Sequence, residues 1–406
     1  MQRDLSIDFV RGGGVLMIAV DHLGGLLSMA AGVPISFPFV TWGRLGWSSA
    51  AEFFVFFSGY LVGIIYTRTL RDHGLALTYA RAANRAWQIY VANLLTLCAV
   101  LVLLYLLPFS NHRIEAATGL DALTGDHAIA ELTAFLALQG APAFFEILQL
   151  YVVLLLVAPV LLLVARMNIL APLACSVALW ACVQWNPHFN IAGWNFNPFA
   201  WQLVFILGML SSVGDVFAKL TEAFGRRKLL LVTGSLLLLA LLVKIADKAD
   251  WSLPLIGQFD MVGTNRTAVR PVMLLHFLVS VVFVMQIVPQ GAMIARSWVA
   301  RLVARVGQYS LECFCVSTAL VYPAAAWMIR TELTRPMVIF VTGMQIIVFV
   351  CLWAIAVNWI KSQPWRGARS AAVAANISMS VPKTVPHVTA ADTRSVAAPD
   401  IPREPA

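Results

Sequence analysis

The sequence predicts an all-α polytopic integral membrane protein, a bundle of about ten transmembrane helices with both termini in the cytoplasm. Three observations lead there. Of the 406 residues, 60% are hydrophobic and 12% charged, about half the charged fraction of a soluble domain. Mean hydropathy is +0.81. The apolar residues form long continuous runs, whereas a β-barrel would show short alternating strands. This composition excludes a water-soluble enzyme, a disordered chain and a disulfide scaffold for most of the length.

A spanning helix needs roughly 20 apolar residues. Runs of that kind fall at about 10–31, 48–67, 87–107, 146–165, 169–186, 199–217, 229–246, 271–289, 308–329 and 337–360. Residues 128–139 (AIAELTAFLALQ) read as a helix at the interface or re-entering the membrane, and 186–199 as a loop rich in Asn, Pro and Trp. Residues 1–361 thus form the transmembrane domain. The Ala-, Pro-, Ser- and Thr-rich stretch 362–406 is expected to be a disordered cytoplasmic tail. No cleavable signal peptide is expected, because Asp4, Asp8 and Arg11 precede the first apolar run without a small-residue cleavage site.

Charge sets the orientation. Arg68, Arg71, Arg81 and Arg85, then Lys219, Arg226, Arg227 and Lys228, then Arg296, Arg301 and Arg305 fall on one side. The other side has fewer cations, among them Arg44, Arg113, Lys248, Arg266, Arg270, Arg330 and Arg335. The positive-inside rule puts the first set in the cytoplasm. The net charge of +8 is therefore read as topology, and no nucleic-acid partner is expected. The six cysteines all lie in apolar runs and read as packing, with no metal site or disulfide framework.

Ionisable side chains inside a membrane are costly and mark functional candidates. The first run, DFVRGGGVLMIAVDHLGG, carries Asp8, Arg11 and His22. Eleven residues are about three helical turns, so Arg11 and His22 share one face roughly 16 Å apart along the axis. An imidazole suits general-base work near neutral pH, and an arginine three turns away suits a phosphate. A long donor with a phosphorylated head, such as a coenzyme A thioester, has that shape. A single hydrogen-bonded histidine in a helix bundle fits the same spacing, and the pattern leaves both open. Asp21 points about 100° from His22 and reads either as a catalytic group or as a carboxylate paired at the outer boundary.

Glu52, in SSAAEFFVFFSGYLVGIIY, is a buried acid that would orient an imidazole or pair with an arginine such as Arg44. Ser58-Gly59 permits close helix approach, and Gly12-Gly13-Gly14 permits either that or room for a ligand. Arg81 and Arg85 are four residues apart on one helix face. They would join Arg11 in a cationic mouth, or simply be positive-inside charge. Trp194, Asn195, Asn197, Trp201 and Gln202 would bind a carbohydrate through indole stacking and amide hydrogen bonds, or form the aromatic belt of any membrane protein. No phosphate-binding glycine loop, HExxH, GxSxG or paired CxxC is present.

The opening DFVRG followed by DH resembles the first helix of the membrane acyltransferase superfamily, recognised by an arginine and a histidine here matched by Arg11 and His22. AAEFFVFFSGYLVGIIY (50–66), RAWQIYVANL (85–94), GWNFNPFAWQLVFILG (193–208) and GQYSLECFCVSTAL (307–320) are more specifically similar to the OpgC family. Two positions depart from its pattern: Asn93 and Tyr309 stand where a histidine is expected. The resemblance implies an inner-membrane succinyltransferase that takes its acyl group from cytoplasmic acyl-CoA and acylates a periplasmic glucan. It implies a base role for His22 and donor binding by Arg11, Arg81 and Arg85, with acyl-CoA as donor substrate and no permanently bound cofactor. An acyl-enzyme variant, an O-acetyltransferase of another envelope glycan and a proton-coupled exporter remain as alternatives. The exporter lacks the related halves common in transporters. A homo-oligomer in the bilayer is compatible with all of these.

Overall fold

The computed structural model describes residues 4–32, 37–106, 111–189, 191, 194–248, 267–289 and 291–363. The tail expected from 362 lies outside the described residues beyond Gln363, as does Arg266. Among the described residues the regular structure is helical, with no strand. The order is α1 (Leu5–Ala31), α2 (Trp42–Leu45), α3 (Ala50–Leu106), α4 (His112–Thr118), α5 (Ala128–Leu136), α6 (Glu146–Met167), α7 (Leu170–Trp185) and α8 (Pro198–Val213). It continues with α9 (Val216–Phe224), α10 (Arg226–Lys248), α11 (Pro271–Ile287), α12 (Gly291–Arg296), α13 (Trp298–Gln308), α14 (Ser310–Arg330) and α15 (Pro336–Ser362). The larger of two compact units ends at Asn358, inside α15.

Each of the ten apolar runs lies on a helix, but not every one is a simple span. Six described helices are long and apolar enough to cross a bilayer, or seven if α8 and α9, bent by 69°, are one broken span. The runs at 48–67 and 87–107 belong to the single assignment α3, which breaks at Gly74 (φ 78°, ψ −179°). Arg81 Nη1 donates to Thr69 Oγ1 at 2.7 Å. In an unbroken helix these residues would stand about 18 Å apart, so α3 is a hairpin whose second arm returns along the first. Gly74 is suited to the turn because its φ lies in the left-handed region. The runs at 169–186 and 271–289 sit on α7 and α11, of 16 and 17 residues, short of a full crossing. α5 exposes Ile129 and Leu132 while burying Phe135, as suits an interfacial helix.

Exposed apolar side chains such as Leu231, Leu238, Val348 and Leu352 cover α10 and α15. A soluble protein would bury such faces, so with the long apolar helices they make this a membrane protein. The core gathers α1, α3, α6, α8, α13 and α14. Two glycine crossings set its tightest contacts. A Cβ on Gly12 would collide with the Val303 carbonyl, and one on Gly307 with the Asp8 carbonyl. Cβ atoms on Gly59 and Gly208 would collide with the carbonyls of Phe205 and Phe56. Of the three consecutive glycines, only Gly12 makes such a contact, since nothing lies within 4 Å of a Cβ on Gly13 or Gly14.

Candidate functional site

A cavity of about 580 Å³ opens beside the N-terminal end of α1, within the range usual for small-molecule pockets. The α3 hairpin explains its lining. The first arm supplies Phe54, Ser58 and Tyr66, and the returning arm supplies Arg81, Arg85 and Ile89. α1 adds Asp8 and Arg11, α6 adds Tyr151, and Ser310 comes from α14. Three arginines from two elements thus meet at one cavity. Arg11 Nη2 donates to Ser310 Oγ at 2.6 Å, and Arg85 Nη1 donates to Gln88 Oε1 at 3.0 Å. Arg81 is exposed and Arg85 half-buried.

His22 lies outside that lining, further along α1. Aromatic rings bridge the interval. The Arg11 guanidinium is 6.0 Å from the Phe54 ring centre. Phe54 stacks with Phe314 at 6.1 Å, and Phe314 meets the His22 imidazole edge-on at 5.8 Å. Phe144 stacks on the imidazole at 3.8 Å with 12° between the planes. The three-turn spacing along α1 therefore directs Arg11 and His22 to one aromatic wall, Arg11 at the cavity and His22 beyond it.

Glu52 is fully buried at the start of α3. Its Oε2 accepts the Ser49 N–H at 2.8 Å and the Ser49 hydroxyl at 2.6 Å. Ser49 Oγ in turn accepts the Ala51 N–H at 3.3 Å. This reciprocal arrangement is a capping box, in which serine and glutamate satisfy backbone donors at a helix start. Arg44, the alternative partner for Glu52, lies over the Phe37 ring at 4.6 Å. Asp21 Oδ1 accepts the Thr41 hydroxyl at 2.7 Å, tying α1 to the segment that leads into α2.

The Trp/Asn segment is largely committed within the fold. Trp201 is fully buried and packs against Phe196 at 4.8 Å. Asn197 caps α8 by accepting the Phe199 N–H at 3.0 Å and donates to the Phe189 carbonyl at 2.8 Å. Gln202 donates to the Ser176 and Phe199 carbonyls, and accepts the Ser176 hydroxyl at 2.6 Å. In the fold Trp201 thus packs inside, Asn197 caps α8 and Gln202 bridges α8 to α7. Trp194 is buried as well. Asn195 is exposed, and its amide donates to Glu146 Oε1.

Several residues of the site escape a linear reading. Ser310 and Phe314 come from α14, and Phe144 from the loop before α6. Tyr151 donates to the Phe54 carbonyl at 2.6 Å, fixing the ring that faces Arg11. The spacing Ser49-x-x-Glu52 carried the capping-box signal, but nothing local marks Phe144. Among the described residues, no group of three or more His, Cys, Asp or Glu side chains could hold a metal ion.

A family model described as OpgC protein matches residues 3–362. The chain belongs to the OpgC family. That membership implies an acyltransferase. No curated protein and no solved structure matches the chain.

Proposed function

We propose that this OpgC family member transfers an acyl group, succinyl by its family resemblance, from acyl-CoA to a hydroxyl of periplasmic glucan at the bacterial inner membrane. The observation that carries the reading is the cavity that gathers Arg11, Arg81 and Arg85, with His22 further along the same α1 wall. Guanidinium groups bind phosphate oxygens through paired, charge-assisted hydrogen bonds. The donor's phosphates dock on these arginines on the cytoplasmic side, and its pantetheine arm follows the Phe54–Phe314 wall toward His22.

At the reacting end, His22 removes the proton from the glucan hydroxyl as the oxygen attacks the thioester carbonyl. The tetrahedral intermediate collapses, the C–S bond breaks, and the thiolate leaves and takes up a proton as free coenzyme A. The product is an ester on the glucan, and His22 returns to its neutral form. Glu52 is the carboxylate we assign to support the imidazolium, anchored in its orientation by Ser49. Asp21 acts in this scheme through Thr41, holding the entrance segment. The acceptor enters near Trp194 and exposed Asn195, while Asn197, Trp201 and Gln202 keep that segment in place.

Purified protein given succinyl-CoA and unsubstituted glucan should release coenzyme A and add succinyl-sized mass to the glucan. Coenzyme A release with mass on a different envelope glycan would redirect the acceptor. No thioester cleavage under any acceptor would overturn the acyltransferase reading in favour of an exporter. Arg81→Ala and Arg85→Ala should each raise the donor KM about tenfold, with kcat changed far less, because they remove binding shared by ground and transition states. An unchanged donor KM in the double variant would place the phosphates elsewhere.

A further inference from the structure

We propose that Phe144 is a positioning residue for the His22 imidazole, aimed at it by a strained and firmly clamped loop. The proposal rests on the reading of His22 as the base. Phe144 stands in the segment between α5 and α6, remote from His22 in sequence, yet its ring lies face to face with the imidazole at 3.8 Å and 12°. Phe314 meets the same imidazole edge-on at 5.8 Å and 81°. A ring covered on one face and met edge-on by a second has its plane defined by packing.

The backbone carries the second observation. Phe144 has φ of +71°, a conformation that costs an aromatic L-residue free energy and persists only where the surroundings over-determine it. They do so here. The Ala143 N–H donates to the Thr118 carbonyl at 2.9 Å. The Tyr322 hydroxyl donates to the Ala143 carbonyl at 2.6 Å. The Asn93 amide donates to the Phe145 carbonyl at 3.3 Å, and the Phe145 N–H closes a turn on the Pro142 carbonyl at 3.1 Å. α3, α4 and α14 thus hold the residues on both sides of Phe144, leaving its ring little choice of direction.

The third observation is room on α1. Gly25, three residues beyond His22, faces the same ring, and a Cβ there would come within 3.3 Å of Phe144 Cζ. An alanine at that position would require the ring to give by a few tenths of an ångström.

The arrangement suits proton transfer. An imidazole accepts and gives protons through nitrogen lone pairs in the ring plane, so a ring stacked on its face fixes the plane in which both nitrogens point. The π-face of Phe144 also favours the positive charge that develops as His22 takes the hydroxyl proton. The loop therefore preorganises the base before the acceptor arrives, so the orientation is not established during reaction.

The test uses full-length protein in lipid nanodiscs, with kcat and both KM values measured for acyl transfer. Phe144→Leu should lower kcat about tenfold while leaving donor and acceptor KM within about twofold. Phe144→Tyr, which keeps the ring, should retain most of the wild-type kcat. Tyr322→Phe removes only the hydroxyl clamp and should lower kcat several-fold at unchanged KM, which keeps the proposal testable if Phe144→Leu is not recovered folded. His22→Gln is measured beside them. Full activity of His22→Gln would sink the base reading itself. An inactive His22→Gln with wild-type kcat in Phe144→Leu, or in Tyr322→Phe where that is the folded variant, would overturn the positioning role alone. So would a Phe144→Tyr variant as impaired as Phe144→Leu.

Discussion

Replacing His22 by alanine should reduce acyl transfer by roughly 10²- to 10⁴-fold, the range general-base catalysis contributes, with membrane levels unchanged. The expectation follows from what surrounds the side chain. His22 sits on α1 against Phe144 and Phe314, and Arg11 lies at the cavity end of the same wall. His276 provides the contrast. It is buried on α11, where its Nδ1 accepts the Ser48 N–H at 3.2 Å and lies 2.7 Å from the Ser48 hydroxyl. That bonding ties α11 to the entry of α3, so His276→Ala should lower stability more than it lowers kcat. Mass spectrometry of glucans from a deletion strain complemented with each variant reads the difference. Succinyl-sized additions that persist with His22→Ala at wild-type protein levels would remove His22 from the mechanism.

The second large effect is on folding. Gly12→Ala and Gly307→Ala should each lower the Tm by about 5 °C or more, because overpacking a rigid contact costs about 1–3 kcal/mol. The obstruction is backbone, not a movable side chain: Gly12 faces the Val303 carbonyl and Gly307 faces the Asp8 carbonyl. α1 and α13 would have to separate, carrying with them the turn that holds Asp8 and Arg11. Gly13→Ala is the internal control, because its Cβ would meet nothing within 4 Å, and alanine even favours a helix over glycine. Thermal unfolding of the detergent-solubilised protein followed by size-exclusion chromatography measures all three. Equal stability of Gly12→Ala and Gly13→Ala would show that the crossing yields.

The two effects separate chemistry from architecture along one helix. The glycine crossing fixes α1 against α13, and the Phe54–Phe314 wall then meets both Arg11 and His22. An arginine at the cavity and an imidazole three turns on are useful to the same donor only if that helix does not shift. A fault at Gly12 should thus appear first as lost protein, and a fault at His22 as lost turnover in protein that is still present.

The one-dimensional pattern determined the features that depend on composition and on the helical period. Long apolar runs made this a helical membrane protein, because a bilayer core satisfies no backbone polar group and leaves the helix as the economical spanning form. The spacing of Arg11 and His22 put them on one face, because 3.6 residues per turn is independent of context. Ser49-x-x-Glu52 was a helix-start signal as well as a buried acid. Tertiary structure alone decided the rest. Only the bond from Arg81 to Thr69 shows that α3 doubles back at Gly74 and carries its arginines to Arg11. Only packing shows that Trp201 is sealed inside while Asn197 and Gln202 cap and bridge helices. The Phe144 stack on His22 joins segments far apart in the chain through a strained backbone clamped by three helices. No local period encodes such a contact, because its geometry belongs to the helices that meet there and not to the residues on either side of it.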